Sequence, residues 1–287
     1  MSRIAYVNGR YLPLNRASVH VEDRGFQFAD AVYEVIAARG GGLIDEDMHL
    51  KRLHRSLGEL RIAAPMSDAA LKLVMREVLR RNGIVDGTLY LQVSRGSAPR
   101  DFPFPKSAKP SLVMVARRGR GPAAALIENG VGVITLPDIR WARPDIKSVA
   151  LLPNALGKQR AKEAGAYEAW QVDRDGNVTE GTSSNAWIVT ADGEVVTRRA
   201  DNSILNGVTR LGLIGLLARE GLKLVERPFS VAEAKAAREA FLTSTTNFVL
   251  PVVSIDGTPV GNGYPGSTVR RLRAIYEEYV VTQEPVP

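Results

Sequence analysis

The residue best suited to covalent chemistry in this chain is Lys147, which lies directly before an apolar run. The segment reads Asp145-Ile-Lys147-Ser-Val-Ala-Leu-Leu152. A lysine in apolar surroundings has a lowered pKa, because burial disfavours the charged form, and its neutral amine is a nucleophile. The alternative is a lysine at a strand end whose ammonium group extends to water. On this segment alone the alternative is favoured.

Three further segments carry polar groups of the kind that bind anions or protonated rings. Gly207-Val208-Thr209 opens a predicted helix, whose free backbone N–H groups can hold a phosphate. Thr243-Ser-Thr-Thr246 ends an apolar strand with four hydroxyl groups, and Glu180 lies among small hydroxyl residues between predicted strands. On local grounds an ordinary helix start is the favoured explanation of the first segment, and plain turns explain the other two segments equally well.

Residue counts and spacing exclude several other kinds of site. The chain has no Cys, so it has no disulfide, thiolate nucleophile or Cys-bound metal. Its histidines are His20, His49 and His54, and the last two are too far apart to share a helix face, so we expect no bound metal. The stretch Gly261-Asn-Gly-Tyr-Pro-Gly266 has dinucleotide-loop spacing but lacks a following βαβ unit, and we predict a plain loop there.

The net charge of +7 raises the question of a nucleic-acid partner. Much of the excess lies in one segment, where seven basic residues accompany the single acid Asp101. These basic residues are Arg95, Arg100, Lys106, Lys109, Arg117, Arg118 and Arg120. No helix-turn-helix or RNP-like pattern accompanies them. We expect a solvated basic surface that mildly favours small anions, with an anion- or nucleic-acid-binding module as the non-enzyme alternative.

The elements of the first half must position these groups. Asn8-Gly9 predicts a tight hairpin turn. Asp45 or Asp47 caps a predicted helix with apolar residues at 50, 53, 57 and 60, and Ser67 begins a second helix that ends at Gly83. Residues 88–95 alternate as a half-buried strand, and residues 112–116 form a more buried one.

The second half begins after a segment rich in Gly and Ala. We predict a small N-terminal α/β domain at 1–118, a linker at 119–125 and a larger α/β domain at 126–287. The larger domain contains a helix from Asn154 to Gly165, a second from Gly207 to Glu220 and a final amphipathic helix. Strands and helices mix without strict alternation, so we predict an α+β class. The longest apolar stretch has eight residues and no signal peptide is evident, so we expect a cytoplasmic protein with no membrane partner.

Lysine, acid and phosphate-binding segments together are what pyridoxal 5'-phosphate (PLP) requires, and we predict PLP as the cofactor. The chain resembles the fold-type-IV PLP enzymes from Ile4 to about Tyr279. The segments that carry the resemblance are Asp23–Glu34, Asp145–Ser148, Thr179–Asn185, Ile204–Arg210 and Thr243–Thr246. Within that group it is most similar to bacterial D-amino-acid aminotransferases, through Val32-Tyr-Glu-Val35 and Arg95-Gly-Ser-Ala-Pro-Arg100. The resemblance implies a two-domain α+β fold and a homodimer with active sites at its interface.

The resemblance also implies a role for individual residues. Lys147 holds the cofactor covalently and moves a proton between Cα and C4′, while Glu180 keeps the pyridine nitrogen protonated. The other cofactor-binding residues are Arg52, Leu205, Val208, Thr209 and Thr245. Tyr33 and Arg100 bind the substrate carboxylate, with Arg100 coming from the partner subunit. The implied reaction moves an amino group between a D-amino acid and a 2-oxo acid, such as D-alanine and 2-oxoglutarate.

One position departs from the family pattern. Arg-x-His is expected at Arg100, and here the segment reads Arg100-Asp-Phe102, so an apolar ring replaces an imidazole donor. This weakens carboxylate binding and leaves open an altered preference among D-amino acids or a tolerance of (R)-amines. A branched-chain aminotransferase and an aminodeoxychorismate lyase of the same fold are the remaining alternatives.

Overall fold

The computed structural model describes residues 3–119 and 121–283, so Arg120 of the basic segment and predicted linker lies outside the described residues. By internal contacts the chain forms two units. Unit 1 comprises residues 1–120, 146–150 and 283–287, and unit 2 comprises residues 121–145 and 151–282. The domain boundaries predicted above differ from this division at 146–150, because backbone hydrogen bonds join that segment to unit 1. That the predicted ranges fold as independent domains stays a prediction.

Unit 1 is an antiparallel sheet with two long helices. Its elements are β1 (Ile4–Val7), β2 (Arg10–Pro13), α1 (Arg24–Phe28), β3 (Ala31–Arg39), β4 (Gly42–Leu43), α2 (Glu46–Glu59), α3 (Asp68–Arg81), β5 (Gly87–Ser94) and β6 (Ser111–Arg118). The strand order is β2-β1-β6-β5-β3-β4. The hairpin at Asn8-Gly9 and both predicted helices are present. Ser67 accepts a hydrogen bond from the Ala70 amide, whereas Asp45 occupies the cap position of α2 without a side-chain cap.

The core of unit 1 explains which residues of β3 face the helices. Because side chains alternate along a strand, Val32, Glu34 and Ile36 share one face and Tyr33 shares the other with Val35. The first set is fully buried. Val32 and Ile36 pack in one cluster with the apolar stripes of the two helices. The helices contribute to that cluster Leu50, Leu53 and Leu57 of α2 and Leu71, Met75, Val78 and Leu79 of α3.

Unit 2 is built on a nine-stranded mixed sheet. Its elements are α4 (Ala124–Asn129), β7 (Val131–Pro137), α5 (Leu152–Glu163), β8 (Glu168–Val172), β9 (Val178–Gly181), β10 (Asn185–Val189), β11 (Val195–Thr197), α6 (Val208–Arg219), β12 (Leu224–Glu226), α7 (Val231–Ala236), β13 (Glu239–Ser244), β14 (Phe248–Ile255), β15 (Thr258–Pro259) and α8 (Ser267–Val281). The order is β12-β11-β10-β13-β14-β7-β8-β9, with β15 on β14. Parallel and antiparallel pairs mix, which confirms the predicted α+β class.

Two boundaries in unit 2 differ from the sequence prediction. Helix α5 begins at Leu152, before Asn154, because Pro153 is tolerated in the first turn, where its missing N–H needs no partner. The Asn154 amide instead donates to the Thr182 carbonyl at 2.8 Å. Helix α4 begins inside the predicted linker, at Ala124. The stretch 261–266 is a loop, as predicted.

Within the described residues, no helix is long and apolar enough to cross a bilayer. The same residues contain no group of three or more His, Asp or Glu side chains arranged to hold a metal ion.

Candidate functional site

Lys147 lies beside β3, opposite Tyr33. The Tyr33 N–H donates to the Lys147 carbonyl at 3.0 Å, and the Val149 N–H donates to the Ala31 carbonyl at 3.0 Å. These bonds run residues 147–149 along the edge of β3, with Ser148 bridged to Val32. The Lys147 amine is 4.3 Å from the centre of the Tyr33 ring. No described residue forms an ion pair with this amine, which leaves it available for chemistry.

A buried carboxylate in unit 1 holds Arg52. Glu34 of β3 faces α2, where His49 and Arg52 are three residues apart and therefore share a helix face. Arg52 donates from Nε and Nη2 to the two oxygens of Glu34 at 2.8 and 2.7 Å, and His49 Nδ1 donates to Glu34 at 2.7 Å. A two-point contact of this kind fixes the plane of the guanidinium. Arg52 is therefore oriented by its neighbours.

The charge of this cluster is fixed at neutral pH. Burial acts to raise the pKa of Glu34, but the Arg52 charge and the hydrogen bonds from Arg52 and His49 outweigh it and lower the pKa to about 2. Burial lowers the pKa of His49, and its contact with Glu34 offsets only part of that effect. Glu34 is thus an anion whose role is to balance a cation.

In unit 2 the predicted acid Glu180 is buried and has a partner on each oxygen. Arg140 Nη1 and the Leu205 amide, at 3.0 Å, donate to Oε1, and the Asn185 side chain donates to Oε2 at 2.9 Å. The Asn185 amide also donates to the Leu205 carbonyl at 2.9 Å. The structure therefore brings Glu180 and Leu205 together and holds the carboxylate in one orientation.

Arg140 is itself held by a second acid. Its Nε and Nη2 donate to Asp138 at 3.0 and 2.6 Å, and the Thr179 hydroxyl donates to Asp138 at 2.8 Å. Burial acts to raise the pKa of Asp138, but the hydrogen bonds and charge of Arg140 outweigh it and keep that pKa below its usual value. Two carboxylates therefore share one buried guanidinium, which holds the Glu180 side chain in place.

The predicted phosphate-binding residues of unit 2 lie at two places. Val208 and Thr209 form the first turn of α6, where backbone N–H groups have no partner inside the helix. Gly207 precedes them, and a Cβ there would lie 2.2 Å from Asn185 Oδ1, so only glycine allows this approach. Thr245 is half-buried in the turn after β13, against which α6 packs. Within the described part of the chain, no hydrogen bond joins Thr245 to the first turn of α6.

Arg100 lies in an exposed segment of unit 1. Its guanidinium carbon is 4.9 Å from the centre of the Phe28 ring and 5.9 Å from that of Phe102. The two rings pack at 5.5 Å, and Phe102 is 77% exposed. Among the described residues none accepts a hydrogen bond from Arg100 or pairs with it, and none of its contacts is to Tyr33. Arg100 therefore presents a cation to solvent over an apolar surface.

Each unit, taken by itself, contains groups that fit part of PLP chemically. Unit 1 has an amine without an ion-pair partner among the described residues and an oriented guanidinium, and unit 2 has a fixed carboxylate and a helix N-terminus. These match the cofactor's aldehyde, phosphate and pyridinium nitrogen. Sequence reasoning missed the residues that hold these groups, namely Glu34, His49, Asp138, Arg140 and Asn185. Their partners are distant in sequence, and no local pattern marks them.

Comparison with known proteins agrees with this chemistry. A sequence profile described as amino-transferase class IV matches residues 31–255. The chain belongs to the class IV aminotransferase family. It is 40% identical over 276 residues to a D-alanine aminotransferase of Bacillus licheniformis, and the match covers 96% of each chain. A D-alanine aminotransferase of Staphylococcus haemolyticus is 39% identical, and that match covers 96% of this chain and 97% of the other.

A solved structure of a branched-chain amino acid aminotransferase shares the fold. The enzyme is that of Escherichia coli, with a TM-score of 0.90 and 23% identity, and the match covers 99% of this chain and 97% of the other. Class IV aminotransferases use PLP, so the family confirms the cofactor predicted from the sequence. It also confirms the fold-type-IV architecture.

Proposed function

We propose that this chain is a PLP-dependent aminotransferase that exchanges the amino group of a D-amino acid with the oxygen of a 2-oxo acid, with D-alanine and 2-oxoglutarate as representative substrates. The observation that carries the proposal is the Lys147 amine, which lies 4.3 Å from the centre of the Tyr33 ring and has no ion-pair partner among the residues that the structure describes. The identity to D-alanine aminotransferases supports the same substrate class. A cytoplasmic location stays a prediction.

The side chains have separate tasks in this proposal. Lys147 would hold the cofactor through its amine, and the same amine would carry the proton removed from the substrate Cα. The bound pyridine ring supplies the chemistry, because it accepts the electron pair left at Cα. Glu180 would keep the ring nitrogen protonated, and the phosphate would be held by Arg52, Val208, Thr209 and Thr245. Leu205 would contact the ring.

Stereochemistry follows from fixed binding of the substrate carboxylate. Tyr33 and Arg100 hold that carboxylate, so only one enantiomer directs its Cα–H towards the Lys147 amine. The test is an absorbance spectrum of the purified holoenzyme during addition of D-alanine and, separately, of L-alanine. Conversion of the cofactor band to the pyridoxamine form with D-alanine alone is expected. Conversion with L-alanine alone would overturn the proposed substrate class.

A second substrate class is favoured by one observation. Phe102 is largely exposed and presents an apolar ring where the family pattern has an imidazole donor. Such a surface suits an apolar substituent better than a carboxylate. We therefore propose (R)-amines as secondary substrates, tested with (R)-1-phenylethylamine as the amino donor. No conversion of the cofactor band by this amine would remove the second class.

We further propose a homodimer in which Arg100 of one copy binds substrate in the other. Arg100 has no contact with Tyr33 among the described residues, and its segment exposes large apolar side chains, which supports this arrangement. Subunit mixing tests it, because a heterodimer of Lys147→Ala and Arg100→Ala chains has one intact site only if Arg100 acts across the interface. We expect activity to be regained on mixing. If no activity is regained, Arg100 acts in the site of its own subunit.

A further inference from the structure

Arg24, at the start of α1, connects the protein interior to the segment that carries Arg100. Its side chain is buried, at 4% exposure. Nη1 donates to the Asp101 carbonyl at 2.6 Å, and Nη2 donates to the Phe102 carbonyl at 3.3 Å. The carbonyl groups of the two residues that follow Arg100 are therefore both held by one guanidinium.

Arg24 is anchored from behind by Asp30. Its Nε donates to Asp30 Oδ2 at 2.8 Å. Arg95 donates to both oxygens of Asp30, at 2.7 and 2.9 Å, and also to the Leu60 and Arg61 carbonyls. Burial acts to raise the pKa of Asp30. The hydrogen bonds from Arg95 and Arg24 outweigh burial, so the pKa of Asp30 is lowered. This network ties Arg24 to the end of α2.

The chain on the other side of Arg100 is held as well. The Arg24 N–H donates to the Gly96 carbonyl at 2.9 Å, and the Ala98 N–H donates to the Glu22 carbonyl at 3.3 Å. Residues 101–110 contain neither helix nor strand. Arg100 thus lies between a backbone anchor at 96–98 and a side-chain anchor at 101–102, and without the second anchor it would be at the edge of an irregular segment.

We propose that Arg24 is a positioning residue for Arg100. It fixes the carbonyls of Asp101 and Phe102, and through them the direction in which Arg100 presents its guanidinium to a substrate carboxylate. This inference rests on the proposed function. It requires arginine at position 24, because three donors in one plane reach a carboxylate and two carbonyls together, which a lysine ammonium on a flexible stem does not do.

The test variant is Arg24→Lys, which keeps a cation beside Asp30 but loses the fork. In the holoenzyme, KM for D-alanine is expected to rise about tenfold while kcat changes less than about threefold, because the misplaced Arg100 weakens carboxylate binding and leaves Lys147 intact. Hydrogen–deuterium exchange of the peptide spanning 96–105 is expected to accelerate, with the rest of the chain unchanged. Arg118→Lys is the matched control, since it removes an arginine contact to the Gly83 carbonyl elsewhere in unit 1.

A double-mutant cycle separates positioning from general stability. If Arg24 acts through Arg100, Arg24→Lys has no further effect on KM in an Arg100→Ala background. An equal rise in KM in both backgrounds, or unchanged exchange at 96–105, would overturn the proposal. Asp30→Asn, which loosens Arg24 from behind, is expected to act in the same direction, and failure of both variants to fold would assign Arg24 to the core alone. An enzyme without D-alanine activity refutes the proposed function, while the exchange measurement still tests the anchor.

Discussion

Each unit contains a buried arginine–glutamate pair, but the two pairs serve opposite purposes. In unit 1, Arg52 is the predicted ligand of the cofactor phosphate, and Glu34 holds it. In unit 2, Glu180 is the predicted partner of the pyridine nitrogen, and Arg140 holds it. A buried charge is costly without a counterion, so each of these two buried charges comes with a partner of opposite sign. The charge of the cofactor group decides which member of the pair is proposed to bind it: the arginine for the phosphate, and the glutamate for the protonated pyridine nitrogen.

The largest effect is expected at Lys147, whose amine has no ion-pair partner among the described residues. Lys147→Ala should lower transamination by roughly four orders of magnitude, because the covalent anchor and the proton carrier are lost together. Borohydride reduction of the wild-type holoenzyme should attach the cofactor to the peptide that contains Lys147. Lys72→Ala, which removes a surface lysine paired with Asp47, should keep full activity. Labelling of any of the other eight lysines would contradict the assignment.

Glu180→Gln tests the acting carboxylate of unit 2. The variant should retain cofactor but slow proton removal from Cα on the order of 1000-fold, since a neutral amide does not stabilise a protonated ring nitrogen. Single-turnover kinetics with D-alanine measure this step. A wild-type rate would show that Glu180 belongs only to the network around Arg140 and that another group serves the nitrogen.

The proposed role of Arg100, the exposed cation of unit 1, is tested by comparing two amino donors. Arg100→Ala should lower kcat/KM for D-alanine about 100-fold and affect (R)-1-phenylethylamine far less, because only the amino acid has a carboxylate. Phe102→His should raise kcat/KM for D-alanine roughly tenfold and lower activity towards the amine. Phe104→His, a nearby exposed phenylalanine, serves as the control. Equal losses for both substrates in Arg100→Ala would show that this residue supports the fold.

The smallest effect is expected at the supporting carboxylate of unit 1. The pKa of Glu34 is about 2 in the folded chain, below its ordinary value, so its stabilisation is complete above about pH 4.5 and is lost as pH falls towards 2. Glu34→Gln should therefore lower the free energy of unfolding by roughly 3 kcal/mol at pH 7, and the difference from wild type should shrink below about pH 4.5. Urea titrations across this range measure it. A pH-independent difference would contradict the ionised state of Glu34.

The sequence was enough to predict the groups that are proposed to act, and it was insufficient to predict the groups that hold them. Lys147 and Glu180 lie in short segments of recognisable residue order, so the family resemblance selected them, although each segment by itself fitted an ordinary structural role. Glu34 and Arg140 meet their partners 18 and 40 positions away, through packing between elements that no local pattern specifies.

The fold shows the same division between local and distant information. Helix α6 was predicted to within a residue, because Gly207 and Gly221 mark its ends. The placement of 146–150 beside β3 was not predicted, since it depends on pairing between residues more than a hundred positions apart.

That placement has a consequence for how the protein is made. Until residue 150 leaves the ribosome, the edge of β3 at Ala31 to Tyr33 lacks its neighbour, and an unpaired strand edge is a template for aggregation. A fragment that ends at residue 118 would keep this open edge permanently. The same five residues that close the edge carry Lys147, so the reactive amine reaches its position only when the biosynthesis of more than half the chain is complete.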